Sequence, residues 1–251
     1  MNNEYSIQRV LNHIKRDLYL LKGTLLTGML VAIGTLFLLL LLNMIWDKEL
    51  STGEFSGIFG FIYFILGIVL TFSIFKEIHN RNTNQLYLTL PISPLERLTA
   101  IWLTTMVFYT VAFSILGFVI GEFAIVFGSL FLGADYTPLV PFSQNYWGIV
   151  KAYFFIQPLF MLGAISFKKN RVGKTILCLI LVAIVFAIFN MMLYGVLNYD
   201  YAVFNNEPLG TEAMEKAKNE FSLGGKWLLM MILGPITLLV TYLKLVEKEV
   251  S

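Results

Sequence analysis

Cysteine and histidine are nearly missing from this chain, and charge is scarce. The single cysteine, Cys178, falls inside a long apolar run, so neither a disulfide framework nor a thiolate metal site is available. The two histidines, His13 and His79, have no second ligand at useful spacing, which argues against a metal centre. Only 14% of residues are charged, well under the roughly 25% of soluble domains. A nucleotide-binding loop is missing too. Val172-Gly173-Lys174-Thr175 would close one only if a glycine stood at position 168, and that position is Lys. The longest stretches between apolar runs, residues 1–23, 76–97 and 197–226, each fall short of the about 40 residues below which a domain rarely folds unaided. No soluble enzyme domain fits, and any energy source is an ion gradient or another polypeptide.

What the chain has instead is apolar length. It is 57% hydrophobic and 15% aromatic, with a mean hydropathy of +0.75. A hydrocarbon core about 30 Å thick needs roughly 20 apolar helical residues per crossing. Runs at about 24–46, 55–75, 98–132, 148–167, 175–196 and 227–243 predict an all-α integral membrane protein with six transmembrane helices. The third run is too long for one crossing, reaching roughly 52 Å at about 1.5 Å per residue. It either protrudes or breaks into a short interfacial helix near Gly121, Gly128 and Gly133.

Charge placement orients these spans. With both termini cytoplasmic, the inner segments hold Arg9, Lys15, Arg16, Lys22, Lys76, Arg81, Arg97, Lys168, Lys169, Arg171, Lys174, Lys244 and Lys248, which is 13 of the 18 basic residues. The outer segments hold Lys48, Lys151, Lys216, Lys218 and Lys226. Lys and Arg near span ends set orientation, so the expected location is a bacterial cytoplasmic (inner) membrane, multi-pass, with both ends inside. The net charge of +2 gives no reason to invoke nucleic acid.

Residues 1–23 lack the compact apolar stretch and small-residue cleavage site of a signal peptide. Ile7, Val10, Leu11, Ile14, Leu18 and Leu21 recur at helical spacing, opposite Gln8, Arg9, Asn12, His13, Lys15, Arg16 and Asp17. The expectation is an amphipathic helix over 1–23 lying on the inner leaflet, or docked on protein, ahead of a six-span permease domain over 24–251.

The segment at 76–97 is the most specific local signal. A polar stretch from Lys76 turns apolar by Leu86, and Leu90-Pro91-Ile92-Ser93-Pro94-Leu95-Glu96-Arg97 follows. Ser93 with Glu96 three residues on, and Pro94 at the first helical position, predict a capping-box start for the third span. On these residues, the span count and the amino-terminal helix, the chain resembles the six-span permease subunits of type-2 ABC transporters over nearly its whole length. The resemblance implies a coupling element at Glu77, Arg81, Asn84, Leu86, Tyr87 and Leu88 that docks into an ABC ATPase subunit. It also implies a homodimer or heterodimer of permeases in membrane lipid, with ATP and Mg on the partner ATPase and no cofactor in this chain. The second and fifth spans would then line the path, making Tyr63, Phe64, Thr71, Phe186, Phe189, Asn190 and Tyr194 candidates for it.

Other residues carry two readings each. Glu122 is an outer-interface carboxylate or an external gate in the substrate path. Asn43, Thr71, Gln157 and Asn190 are expected to form interhelical hydrogen bonds. Gly117 and Gly121 are spaced for close helix approach, Pro158 and Pro235 for kinks. Thr211–Phe221 reads as a short outer helix, either a lid or a connector. The function expected is an ATP-driven exporter subunit moving an amphipathic or lipid-like substrate, peptide or drug. The alternatives are an ion-gradient-driven secondary transporter, for which no internal repeat is found, and an intramembrane lipid-processing enzyme, for which acid, base and nucleophile are not clustered. A non-transporting partner in immunity or sensing shares the permease architecture.

Overall fold

The computed structural model describes residues 5–79, 90–197 and 233–250. These form α1 (Ile7–Asp47), α2 (Thr52–Ile74), a short α3 (Lys76–His79), α4 (Pro94–Trp102), a π-helical segment (Leu103–Phe108), α5 (Tyr109–Phe131), α6 (Gln144–Ser166), α7 (Arg171–Leu197) and α8 (Gly234–Val250). No strand occurs among the described residues. Five helices are long and apolar enough to cross a membrane: α1, α2, the continuous run Pro94–Phe131, α6, and Arg171–Met192 of α7. The start of the expected sixth span, 227–232, lies outside the described residues, as does the expected helix at Thr211–Phe221. The described α8 has 17 residues, about 25 Å of helix.

Two boundaries differ from expectation. The amphipathic stretch before residue 24 is no separate helix, because α1 runs unbroken for 41 residues. Amphipathic and apolar segments share one backbone hydrogen-bond ladder, and Gly23 alone, which has open space around it, does not interrupt it. The long third run likewise does not break at Gly121 or Gly128. It is helical from Pro94 to Phe131, and its irregularity is the π segment near its start. Of the three glycines only Gly133 ends the helix. Its φ of +64° is a left-handed conformation that glycine adopts without cost, and it lets Ala134 N–H turn back to the Gly128 carbonyl (3.3 Å).

The helix starts follow from local chemistry. Capping boxes open α2 (Ser51 with Glu54) and α4 (Ser93 with Glu96), and Ser143 caps α6 through Tyr146 N–H. At the Gly133 end, Asp135 N–H donates to the Lys48 carbonyl (2.8 Å) and the Thr137 hydroxyl to the Leu50 carbonyl (3.0 Å). The α1–α2 turn is thereby stitched to the chain leaving α5.

α2 is central, packing against α1, α5 and α6. Its rings at Phe55, Phe59 and Tyr63 stack in series and continue to Tyr109, Phe113 and Tyr153, with centroids 4.9–5.8 Å apart. Glycines receive these rings. A Cβ at Gly67 would stand 2.6 Å from the Tyr153 hydroxyl, one at Gly121 would meet Phe55 and Leu139 at 2.6 Å, and one at Gly117 would enter the Phe59 ring. The close approach expected of Gly117 and Gly121 is thus made against side chains of α2. Helix association in lipid draws on such van der Waals fit.

The buried threonines of the bundle are satisfied locally. Thr71, Thr104 and Thr105 donate to carbonyls four residues back (2.8–2.9 Å), a habit of threonine in apolar helices. Gln157 donates across to the Thr105 hydroxyl, an interhelical bond as expected, whereas Asn43 bonds Asp47 within its own helix (3.1 Å). Pro158 lies within α6, which continues past it, and Pro235 stands in the first turn of the described α8.

Replacing Gly117 by Val is expected to overpack the Phe59 contact and cost about 1–3 kcal/mol, lowering the thermal midpoint of the detergent-solubilised protein. Gly34→Ala, in open space, should leave the midpoint unlowered.

Candidate functional site

Charged side chains converge at the end of the bundle where α1 begins, α2 passes into α3, and α4 starts. The buried face of α1 there is Val10, His13, Ile14 and Asp17, set against Ala100 and Leu103. Ile7 is 68% exposed and Leu11 40%, so this helix turns a mixed face, not its most apolar one, toward the protein. His13 and Asp17 lie inside that contact.

One carboxylate organises the corner. Glu96, with no exposed surface, accepts Ser93 N–H (2.9 Å) as part of the capping box of α4. It also accepts Ser6 N–H (2.6 Å) and a forked contact from Arg9, with Nη2 at 2.7 Å and Nε at 3.0 Å. Burial alone would raise its pKa, but the bonds from Arg9, Ser93 and Ser6 together hold it down at about 2. Arg97 beside it is also fully buried.

Arg16 bridges two elements, giving Nη1 to Asp17 (2.9 Å) and Nη2 to Glu77 of α3 (2.7 Å). The other Asp17 oxygen stands 3.5 Å from His13 Nε2. Burial pushes Asp17 up to about 7, against the pull of Arg16, while burial and then the Arg16 and Arg97 charges push His13 down to about 4. Around neutral pH, His13 is therefore uncharged and Asp17 is the group that titrates. Among the described residues no three His, Cys, Asp or Glu side chains gather to hold a metal.

A second network lies within the bundle. The Tyr153 hydroxyl donates to the Thr105 carbonyl in the π segment (3.0 Å), Tyr109 donates to the Tyr63 carbonyl (2.5 Å), and the Tyr63 and Thr110 hydroxyls share a bond (2.7 Å). Tyr153 thereby ties α6 to the backbone of the π segment.

The residues singled out from the sequence fall into separate places. Glu77 joins the charged corner through Arg16, while Arg81, Asn84, Leu86, Tyr87 and Leu88 lie outside the described residues. Tyr63 and Thr71 are buried inside the bundle. Phe64 lines an open groove of about 750 Å³ between α2 and α6, and a second groove of about 840 Å³ separates α1 from α2. Phe186, Phe189 and Asn190 are exposed on α7, and the Tyr194 side chain is not described. Glu122 accepts Leu139 N–H (2.9 Å), tying α5 to the chain that follows it. Arg9, Arg16, Asp17 and Glu96 did not stand out as a site in the sequence. The i, i+4 spacing of His13 and Asp17 was the available signal, since the Arg9–Glu96 pair spans 87 positions.

The chain matches no protein-family model, no curated protein and no solved structure.

The two buried carboxylates predict opposite pH dependences. The Glu96 pKa is depressed, so its contribution is present above about 4.5 and is lost as pH falls toward 2. The Asp17 pKa is raised, so stability falls as pH climbs from about 4 through 7. Thermal midpoints read across pH should show the neutral-side decline removed in Asp17→Asn. Glu96→Gln should cost about 1.5–3 kcal/mol at pH 7, as expected for a charged hydrogen-bonding group.

Proposed function

We propose that this chain is the membrane-spanning permease subunit of an ATP-driven ABC exporter, carrying an amphipathic or lipid-like substrate, peptide or drug outward. Hydrolysis of ATP with Mg belongs to separate ATPase subunits, and two permeases, identical or different, form the transporting unit. It resides in a bacterial cytoplasmic membrane with both termini inside, the orientation favoured by its Lys and Arg distribution.

The observation that carries this reading is the way α3 and α4 are anchored on either side of residues 80–89. On one side Glu77 is held by Arg16 of α1 (2.7 Å) and His79 by the Ala164 carbonyl of α6 (2.8 Å). On the other, the capping box at Ser93 and Glu96 is clamped by Arg9. A load applied between these anchors is passed to α1, α2, α4 and α6 together, because each anchor is buried or hydrogen-bonded. In the proposed cycle, closure of the ATPase subunits pushes on the element around Glu77 to Leu88 and tilts the second and third spans, opening a path between permeases. No covalent chemistry is assigned to this chain. The apolar grooves beside α2 favour an amphipathic cargo over a small ion.

The test is affinity purification of the tagged full chain from detergent-solubilised native membranes, with mass spectrometry of what accompanies it. A stoichiometric nucleotide-binding ATPase is the expected result; purification alone or as a bare homodimer would count against the reading. In the reconstituted complex, Arg81→Glu or the pair Leu86→Ala and Tyr87→Ala should let ATP hydrolysis continue while transport is lost. Full coupling in those variants would remove the docking assignment.

A further inference from the structure

A second charged corner lies across α3 from the first, and it is built differently. His79 presents Nε2 to the Ala164 carbonyl at 2.8 Å and Nδ1 to Lys248 Nζ at 3.2 Å. A carbonyl can only accept, so Nε2 carries the hydrogen, and Nδ1 accepts from the Lys248 ammonium. The imidazole is therefore neutral and positions the Lys248 charge without cancelling it. Arg171, at the first position of α7, directs Nη1 toward the Phe72 carbonyl (3.5 Å), again a neutral acceptor. Lys168 lies in the turn between α6 and α7 and is exposed.

These cations crowd one another. After burial, the charges of Lys168 and Arg171 depress the Lys248 pKa, and those of Lys248, Arg171 and Lys168 depress that of His79. The nearby Glu247 is engaged by Lys244 at 2.7 Å and, without contacting Lys248, opposes part of the depression of its pKa. Among the described residues no carboxylate pairs within 4.0 Å with Lys168, Arg171 or Lys248. This contrasts with the first corner, where each described carboxylate meets an arginine. Convergent cations with no carboxylate in ion-pair contact among the described residues offer an anion a site.

Its setting selects the anion. Lys168 and Arg171 stand where α6 ends and the apolar α7 begins, and Lys248 in the last turn of α8; basic residues at such span ends are the ones that meet lipid headgroups. Directly along α7, Val172, Ile176 and Ile180 are between 42% and 51% exposed and recur every four residues, a strip on which an acyl chain can lie. We propose that Lys168, Arg171 and Lys248 bind the phosphodiester headgroup of an anionic phospholipid whose acyl chain follows this strip of α7. The assignment does not depend on the transport reading.

The test is native mass spectrometry of the full chain titrated with dioleoyl phosphatidylglycerol, dioleoyl phosphatidylcholine or inorganic phosphate. Phosphatidylglycerol should bind far more tightly than phosphatidylcholine, and inorganic phosphate should neither bind measurably nor displace it. A juxtamembrane basic residue near anionic lipid is worth about a fivefold change in affinity. Lys168→Gln, at an exposed position, should therefore weaken phosphatidylglycerol binding roughly fivefold, and the triple variant Lys168→Gln, Arg171→Gln, Lys248→Gln about a hundredfold. The control Lys15→Gln with Lys22→Gln removes two basic charges elsewhere and should leave binding unchanged. Equal binding of the two lipids, an unaffected Lys168→Gln variant, or an equal loss in the control would overturn the proposal. Competition by inorganic phosphate would reassign the corner to a soluble anion and equally overturn it.

Discussion

Glu96 does three structural jobs with one carboxylate. It completes the cap of α4, receives the backbone N–H of Ser6 just ahead of α1, and fixes the Arg9 guanidinium. A buried carboxylate is costly unless its lone pairs are filled, so the site tolerates little displacement of any donor. The start of α1 and the re-entry of the chain after α3 are thereby tied at one point. The path of α1 across α4 and the contact of Arg16 with Glu77 both follow from that tie. Breaking a buried charged pair is far more damaging than never having built it, and this corner holds several such groups within a few residues of one another.

Inside the bundle a different economy applies. Lipid offers no hydrophobic drive between helices, so ring-on-glycine fit and internal hydrogen bonds hold them together. The alternation is visible along α5, where Gly117 and Gly121 receive Phe59 and Phe55. The π segment sits where α6 can serve it, because Tyr153 and Gln157 both reach Thr105. The π segment and the buried polar side chains of α6 thus meet at one residue.

Much of the architecture was legible in the amino-acid pattern, since apolar length and capping residues are local signals. The Ser93–Glu96 start of α4 and the small-residue approach at Gly117 needed no tertiary information. The continuity of α1 was not legible, because a change from amphipathic to apolar composition marks a change of surroundings and not a break in the ladder. The π segment has no marker in Leu103–Phe108 beyond two threonines that bond back to their own turn. The charged corners were hidden for another reason. Glu96 and Arg9, or His79 and Lys248, are far apart in sequence, and each looked like an ordinary residue near a span end. Tyr63 and Thr71 illustrate the reverse limit. A polar or aromatic residue within a span reads the same whether it faces a path or the packed interior, and both are buried here.

α7 joins the bundle near one end. Thr175 is its one buried residue among those described, seated on Gly163 of α6, and beyond Leu179 its surface is exposed up to Met192. Its 27 residues make a rod about 40 Å long with a fulcrum in its second turn. A tilt of about ten degrees there would sweep the far tip, about 33 Å away, through roughly 6 Å. A helix held only near one end owes the direction of its free length to the few residues beside Lys168 and Arg171.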